Sequence, residues 1–425
     1  MAVTDVSTTS RPGVIHFIGI DWDFGALKTA SRGYWLWVGV LGTFVAMGFA
    51  AWLVYFTHGG VAMAMRDGYP WGLWFTDYMY YVGLSAGGLV VYASVHLFGA
   101  EQFRPLSRIA VLQAGVLVML ALVGIISDME RPWRAVWMLL TPNPTSPFVY
   151  TGSAANIYMI ICFVDLWVLI TGFKGEKFAT TMTLIALPAA IYLHTTTAFV
   201  LALNKSRELW NSAMMVPIFL TSATASGVAL LMIFAYVFQA VTKAKFKPSM
   251  FRSLSTLLAT VIIMDLFMLL VEMLTIYWPT SAQGGHTVRM SEFFTGIYAW
   301  AFLPVLILGI TAFTLLSRRK TRHLPAVQLT AAAMYVFAIF LKRYVLMGMG
   351  FVRTPLGQPT GIYLPSLVEV LLALGILALG LLIVTAAIKV LPLEVPAEEH
   401  GHETIDYDAE FNAAAEPALE SEVAS

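Results

Sequence analysis

Residues 107–126 read Ser-Arg-Ile-Ala-Val-Leu-Gln-Ala-Gly-Val-Leu-Val-Met-Leu-Ala-Leu-Val-Gly-Ile-Ile, with one charge, Arg108, at the edge. Wound as a helix at 1.5 Å per residue, such a run is about 30 Å long, the thickness of a bilayer's hydrocarbon core. Comparable runs recur along nearly the whole chain. Bounded by charge, Pro or Gly, they are Tyr34–Phe56, Gly72–Phe98, Ser107–Ile126, Tyr150–Thr171, Phe178–Leu201, Asn211–Gln239, Leu254–Tyr277, Phe294–Leu316, Pro325–Leu346 and Tyr363–Val390. The expected fold is an all-α integral membrane protein of about ten transmembrane helices over residues 34–390. Residues 1–33 form a mostly polar N-terminal segment, and 391–425, rich in Ala and Glu, form a tail expected to be disordered.

Composition agrees. Of 425 residues, 59% are apolar and only 12% charged, and mean hydropathy is +0.76, where a soluble domain carries about a quarter charged residues. A formal net charge of zero gives no electrostatic basis for binding nucleic acid. The single cysteine, Cys162, lies in an apolar run. It allows no internal disulfide and no thiolate-held zinc or iron–sulfur site, so a metal centre coupled to this protein belongs mostly to another chain. Met1–Ser10 lacks the basic start and apolar core of a cleavable signal. A bis-histidine haem needs two in-membrane histidines at matched depth. His96 falls at the inner end of its run and His194 nearer the outer end of its own, so neither haem nor metal is expected here. No phosphate loop or nucleotide fingerprint occurs.

Lysine and arginine set the orientation. With alternating spans, 16 of the 25 fall on the side of the N-terminus and 9 on the other, carried mainly by Lys243–Lys247 and Arg318–Arg322. The positive-inside rule then places both termini in the cytoplasm; the expected location is the inner membrane of a bacterial or archaeal cell. The loop 127–149 falls on the outer face. It holds Ser127-Asp128-Met129-Glu130-Arg131-Pro132-Trp133-Arg134 and then Thr141-Pro142-Asn143-Pro144-Thr145-Ser146-Pro147. Its prolines predict a stiff, extended backbone, and Trp133, Trp137, Phe148 and Tyr150 suit the headgroup level.

Ionisable residues inside spans are costly and usually face a bundle interior or a wet cavity. Asp77, His96, Lys342 and Arg343 lie near span ends, where anchoring at the interface is the plain reading. Asp165, Asp265, Glu272 and Glu369 lie deeper. Asp265 and Glu272, two turns apart, share a face. The four carboxyls suit a buried proton path, or equally hydrogen-bonded glue between helices. In the second run, Asp77 and Tyr81 are one turn apart beneath Trp71 and Trp74, with Thr76 and Tyr80 beside them, and Gly83–Gly88 permits close helix approach. An acid beside phenols under an aromatic roof suits a quinone ring, which needs apolar walls, a hydrogen-bond partner for each oxygen and a proton carrier.

The Asp128–Arg134 run followed by Asn143-Pro144-Thr145-Ser146-Pro147, together with the small-residue stretch Gly83–Gly88, resembles the signatures of the NrfD/polysulfide reductase family of membrane subunits. The ten-span count resembles its longer branch, found in hydrogenase-2-type complexes and alternative complex III. The resemblance implies two four-helix bundles, spans 2–5 (about 72–201) holding the quinone site and spans 6–9 (about 211–346), flanked by spans 1 and 10. It implies a menaquinone or ubiquinone near the outer face, an iron–sulfur subunit docked there, and a molybdenum, nickel–iron or multihaem catalytic subunit beyond it. On this reading Asp128 and Asp77 are the catalytic pair. Tyr81, Arg131, Pro132, Trp133 and His194 line the quinone, and Asp165, Asp265, Glu272 and Glu369 serve the proton path. Glu130 stands where the family has Gly, and Tyr150-Thr151 where some relatives have an acid. A chain of this kind is not expected to be active alone. The competing readings are a secondary proton-coupled transporter, suited by the deep carboxylates and by Pro188 and Pro217 within spans, and a passive anchor.

Overall fold

The structure, a computed structural model, describes residues 14–207, 209–242, 244–283, 290–354 and 358–394. The expectations for the polar start of the chain, for Lys243 and Arg289 in the charge balance, and for the tail beyond Glu394 lie outside the described residues. Among those described, ten helices are long and apolar enough to cross a membrane. We number them α1 (Arg32–His58), α2 (Leu73–Phe98), α3 (Ser107–Ser127), α4 (Pro147–Thr171), α5 (Gly175–Ala202), α6 (Met215–Val241), α7 (Pro248–Gln283), α8 (Ala299–Ser317), α9 (Pro325–Gly350) and α10 (Leu367–Val390). The protein is an all-α, multi-pass membrane protein. We call the end where α2 begins and α3 finishes the far face, and the opposite end, where α1 begins and α10 finishes, the near face.

Local chemistry sets the helix ends. Ser31 caps α1 by accepting from Tyr34 N, and Ser366 and Glu369 form a reciprocal capping box at the start of α10. Prolines open α4 and α9, where their missing N–H costs nothing. Gly99 and Gly172 close α2 and α4 in the left-handed conformation.

Helix contacts run in two closed rings. In one, α2, α3, α4 and α5 pack in sequence and α5 returns to α2; in the other, α6, α7, α8 and α9 do the same. Helices α2 and α6 join the rings, and α1 and α10 pair with each other, with α10 laid on α3. The rings meet at a crossing that only glycine permits. A Cβ on Gly87 would run into the backbone of Gly227 and Val228, and one on Gly227 into Gly87. Such small-residue crossings replace the hydrophobic drive that lipid cannot supply. A second crossing joins α1 to α10, where a Cβ on Gly48 would meet Gly375 Cα at 2.7 Å. Helices α2 and α3 lie innermost, with 72% and 78% of their spans buried, against 17% for α1.

Several details differ from the sequence reading. A β-hairpin, β1 (Val14–Phe17) with β2 (Ile20–Asp23), precedes α1 and is tied to α4 by Trp167 Nε1 donating to Ile18 O at 2.7 Å. The loop after α3 is not extended throughout. Pro132–Arg134 forms a 3₁₀ turn, Ala135–Leu140 a short helix, and Asn143 Oδ1 closes a tight turn by accepting from Thr145 N and Oγ1. Helix α9 runs on to Gly350, so Lys342 and Arg343 lie two turns inside it and are buried rather than anchored at an interface. Helix α10 starts at Leu367, which puts Glu369 in its first turn, not deep in the span.

Gly87→Ala is expected to lower the thermal unfolding midpoint of the purified protein in detergent, by the overpacking of about 1–3 kcal/mol that forcing a methyl into a closed contact costs. Gly39→Ala, where a Cβ meets nothing within 4 Å, serves as control and leaves the midpoint unchanged or raised.

Candidate functional site

Beside the Gly87–Gly227 crossing the rings diverge, and α10 closes the space only partly. The result is a cavity of about 740 Å³ walled by α2, α3, α6, α9 and α10. Its lining is almost wholly apolar: Leu117 and Leu120 of α3, Phe234 of α6, Phe337 and Phe340 of α9, and Leu374 and Leu377 of α10 among others. Phe337, Leu374 and Leu377 are also substantially exposed on the outside of the bundle. The polar groups stand mostly on α2. Asp77, Tyr80 and Tyr81 line the cavity toward the far face, and Gln113 of α3 lies deeper. Asp77 and Tyr81 are 3% and 4% exposed, so both are withdrawn from bulk water. Tyr80 OH donates to Val336 O at 3.1 Å, which fixes its ring edge-on to Phe340. Asp77 Oδ2 is buried with no hydrogen-bond partner.

An aromatic cluster stands at the start of α2. Trp71 stacks on Trp210 at 5.5 Å and 7°, Phe351 sets its ring edge against both, and Phe148 from the start of α4 packs on Trp71. Arg207 lies 4.7 Å over Phe351 and donates to Arg353 O at 2.6 Å. A Cβ at Gly350 would overlap the Trp210 ring, so the cluster requires glycine there. Tyr363 OH donates to Glu369 and accepts from Leu73 N at 2.6 Å, while Tyr344, in the cavity wall, donates to Tyr363 O at 2.7 Å.

Asp128 is elsewhere. It caps α3 on the side of α1, where Tyr55 OH donates to its backbone carbonyl at 2.7 Å, and it is not among the residues lining the cavity. Its Oδ1 is buried without a partner. Burial, and then the charge of Glu369, push its carboxyl up to about 7. Glu369 accepts from Tyr363 OH, from Ala64 N at 3.0 Å and from Ser366 N at 2.8 Å.

With this geometry in view, comparison with known proteins is decisive: the profile of the polysulphide reductase NrfD family matches residues 61–355. The chain belongs to that family. It is 26% identical to a protein of Halobacterium salinarum named as a membrane subunit of dimethyl sulfoxide reductase, over 95% of this chain and 98% of that one. It is 26% identical to the Hdr-like menaquinol oxidoreductase integral membrane subunit of Archaeoglobus fulgidus, over 87% and 96%. It is 27% identical to a selenate reductase subunit of Mesobacillus selenatarsenatis, over 51% and 59%.

In this NrfD protein the structure gathers some of the residues picked out from the sequence and separates others. Asp77 and Tyr81 share the cavity. Arg131 and Trp133 are exposed on the far-face loop, and Pro132 opens its 3₁₀ turn; Trp133 touches Phe56 edge-on at 6.0 Å. His194 is buried between α5 and α2 with Nδ1 2.7 Å from Ala190 O and Nε2 2.9 Å from Val82 O, so its ring is occupied by backbone and lies outside the cavity wall. The four carboxyls assigned to a proton path fall in three places. Asp165 is buried in the first ring beside Tyr92 and Cys162. Asp265 pairs with Lys342 at 2.6 Å and accepts from Tyr335 OH at 2.8 Å in the second ring, where Glu272 accepts from Ser212 Oγ at 3.1 Å. Glu369 stands beside Asp128. Among the described residues no group of three or more His, Cys, Asp or Glu could hold a metal ion. Sequence reasoning passed over Gln113, because it weighed only ionisable groups and aromatics, and Tyr344, which carries no charge signal.

Asp128 yields a pH signature. Between about pH 4, where an exposed aspartate titrates, and about 7, the folded protein keeps a proton that the unfolded chain has released. Stability therefore falls as pH rises through that window. Asp128→Asn is expected to remove this slope from thermal unfolding midpoints measured in detergent. Glu369→Gln, which deletes the neighbouring charge, moves it to lower pH.

Proposed function

We propose that this chain is the quinone-reactive membrane subunit of a respiratory oxidoreductase complex, with the quinone in the cavity between the two rings. The observation that carries the reading is the cavity itself, a long apolar space lined by one carboxyl, Asp77, and three phenols, Tyr80, Tyr81 and Tyr344. A quinone is a polar-edged ring on a prenyl chain, and such a space suits both parts. The ring would lie at Asp77 and Tyr81 and the chain along Phe337, Leu374 and Leu377 toward the lipid. Asp77 is the group that accepts or returns a proton, and Tyr81 OH a hydrogen-bond partner for a ring oxygen. Quinol oxidation releases two electrons and two protons. The electrons pass to an iron–sulfur subunit docked at the far face, taken as the outer face from the Lys/Arg distribution, with both termini cytoplasmic in an inner membrane. Support comes from the relatives, whose names assign one to a menaquinol oxidoreductase and the others to reductases of dimethyl sulfoxide and selenate. A molybdenum, nickel–iron or multihaem catalytic subunit lies beyond the iron–sulfur partner, and menaquinone or ubiquinone is the substrate.

Asp128 keeps its place in this reading as a proton-handling group near the far face, coupled to Glu369. Asp165, Asp265 and Glu272 are proposed to carry protons through the rings. The buried Asp265–Lys342 pair is the one place among the described residues where two opposite charges in the membrane interior could exchange a proton over a single hydrogen bond.

In the native complex, Asp77→Asn is expected to lower quinone-linked turnover about 100-fold, the scale of a lost general acid–base group, and Tyr81→Phe to weaken quinone binding. Turnover and binding both left at the wild-type level in the two variants would sink the assignment.

A further inference from the structure

Two side-chain oxygens on cavity-lining residues are buried with no hydrogen-bond partner, Asp77 Oδ2 and Gln113 Oε1. The first belongs to the site already described. The second has a different setting. Gln113 Nε2 donates to Leu84 O at 3.3 Å and to Gly227 O at 3.1 Å, two carbonyls brought together where α2 and α6 cross. Carbonyls only accept, so the amide cannot be turned over without setting Oε1 against both of them. Both amide protons are thereby spent. The group left over is an acceptor and nothing else. Gln113 is level with Leu84, seven residues along α2 from Asp77, an interval of about 10 Å. A six-membered ring held at Asp77 is too short to bridge that interval with its two para oxygens.

We propose that Gln113 marks a second ring position, deeper in the cavity, at which Oε1 accepts a hydrogen bond from a hydroxyl of the reduced, dihydroxy ring. The inference rests on the quinone reading of the cavity and adds a selection between its two redox forms. A hydroquinone brings O–H donors. The oxidised ring brings only carbonyl acceptors, which would face Oε1 lone pair to lone pair. One buried acceptor with its donors committed elsewhere therefore separates the forms by a bond made against a repulsion. An isolated carboxyl could not do so, since it can offer a proton to one form and a lone pair to the other. Gln113 is thus a specificity-determining residue, and its amide nitrogen, which holds α2 against α6, positions the oxygen that reads the ring.

The test uses the native complex in detergent, with menadione and menadiol as probes, and compares the wild type with Gln113→Leu and Gln113→Met. The expected result is about tenfold weaker binding of menadiol and less than a twofold change for menadione. That selective loss lowers the midpoint potential of the bound couple by about 30 mV. Equal weakening of both probes would show that only the helix staple had been lost and would overturn the proposal. So would no change in either, the outcome if water alone meets Oε1. Asp77→Asn, measured in parallel, is expected to weaken both probes. If the wild-type complex binds neither, the quinone reading itself fails, a result distinct from failure at Gln113 alone.

Discussion

The contact between Gly87 and Gly227 fixes the rest of the architecture. Lipid is as apolar as leucine, so helices in a bilayer gain little from hiding leucine from it and associate through close packing and polar contacts. Two facing glycines let the backbones of α2 and α6 touch, and the Gln113 amide bridges carbonyls from both helices at the same point. Away from that pinch the side chains grow to Tyr80, Phe234 and Phe340, and the rings must separate. The cavity is what the separation leaves, and α10, which belongs to neither ring, forms its outer wall. A cavity made in this way is rigid where the helices touch and open toward lipid.

The same scarcity of water explains where the polar groups stand. Asp265 is not left alone in the second ring; Lys342 pairs with it, Tyr335 donates to it, and Arg343 beside them donates to Ser222 Oγ at 2.6 Å and lies 3.7 Å over the Phe219 ring. A charge so buried is tolerated only with partners, and removing one partner costs far more than removing the pair. Partners are incomplete elsewhere as well: Arg343 Nε and Nη1 and both carboxyl oxygens of Asp165 are buried without one. Asp77 and Gln113 each keep an oxygen with no partner, which a packed core would normally have satisfied. What sets Asp77 and Gln113 apart from Asp165 and Arg343 is the cavity they line.

Much of this was legible in the chain and some was not. Ten runs such as residues 107–126 become ten helices, because a 20-residue apolar stretch has few alternatives in a membrane. Asp77 and Tyr81 were legible as neighbours because one helical turn separates them, whatever the tertiary structure does. Distance across the bundle was not. Asp128 and Asp77 sit near ends of successive spans on the same face of the membrane, and nothing in their spacing says that α10 comes between them. His194 was expected to line the quinone, and its two ring nitrogens instead face backbone carbonyls of Ala190 and Val82. Lys342 and Arg343 looked like anchors because the apolar run ends near them, whereas α9 continues to Gly350. Gln113 was invisible, since a single amide in a leucine-rich run has meaning only once its two carbonyl partners are known.

The separation of Asp128 from the cavity has a consequence for how the far face is organised. Helix α10 presents Glu369 to Asp128, Gly375 to Gly48 of α1 and Ile376 to Gly124 of α3, while Val370, Leu374 and Leu377 look into the cavity. One helix therefore carries Glu369, the partner of Asp128, on one side and part of the cavity wall on the other. Its first turn is held by the capping box, by Ala64 N and by Tyr363, whose hydroxyl also accepts from the first residue of α2. The bonds that Glu369 accepts from Ala64 N, Ser366 N and Tyr363 OH seat this turn, and the next residue, Val370, lines the cavity. The motif that names the family and the cavity thus meet through a shared helix end, without the motif having to touch what the cavity holds.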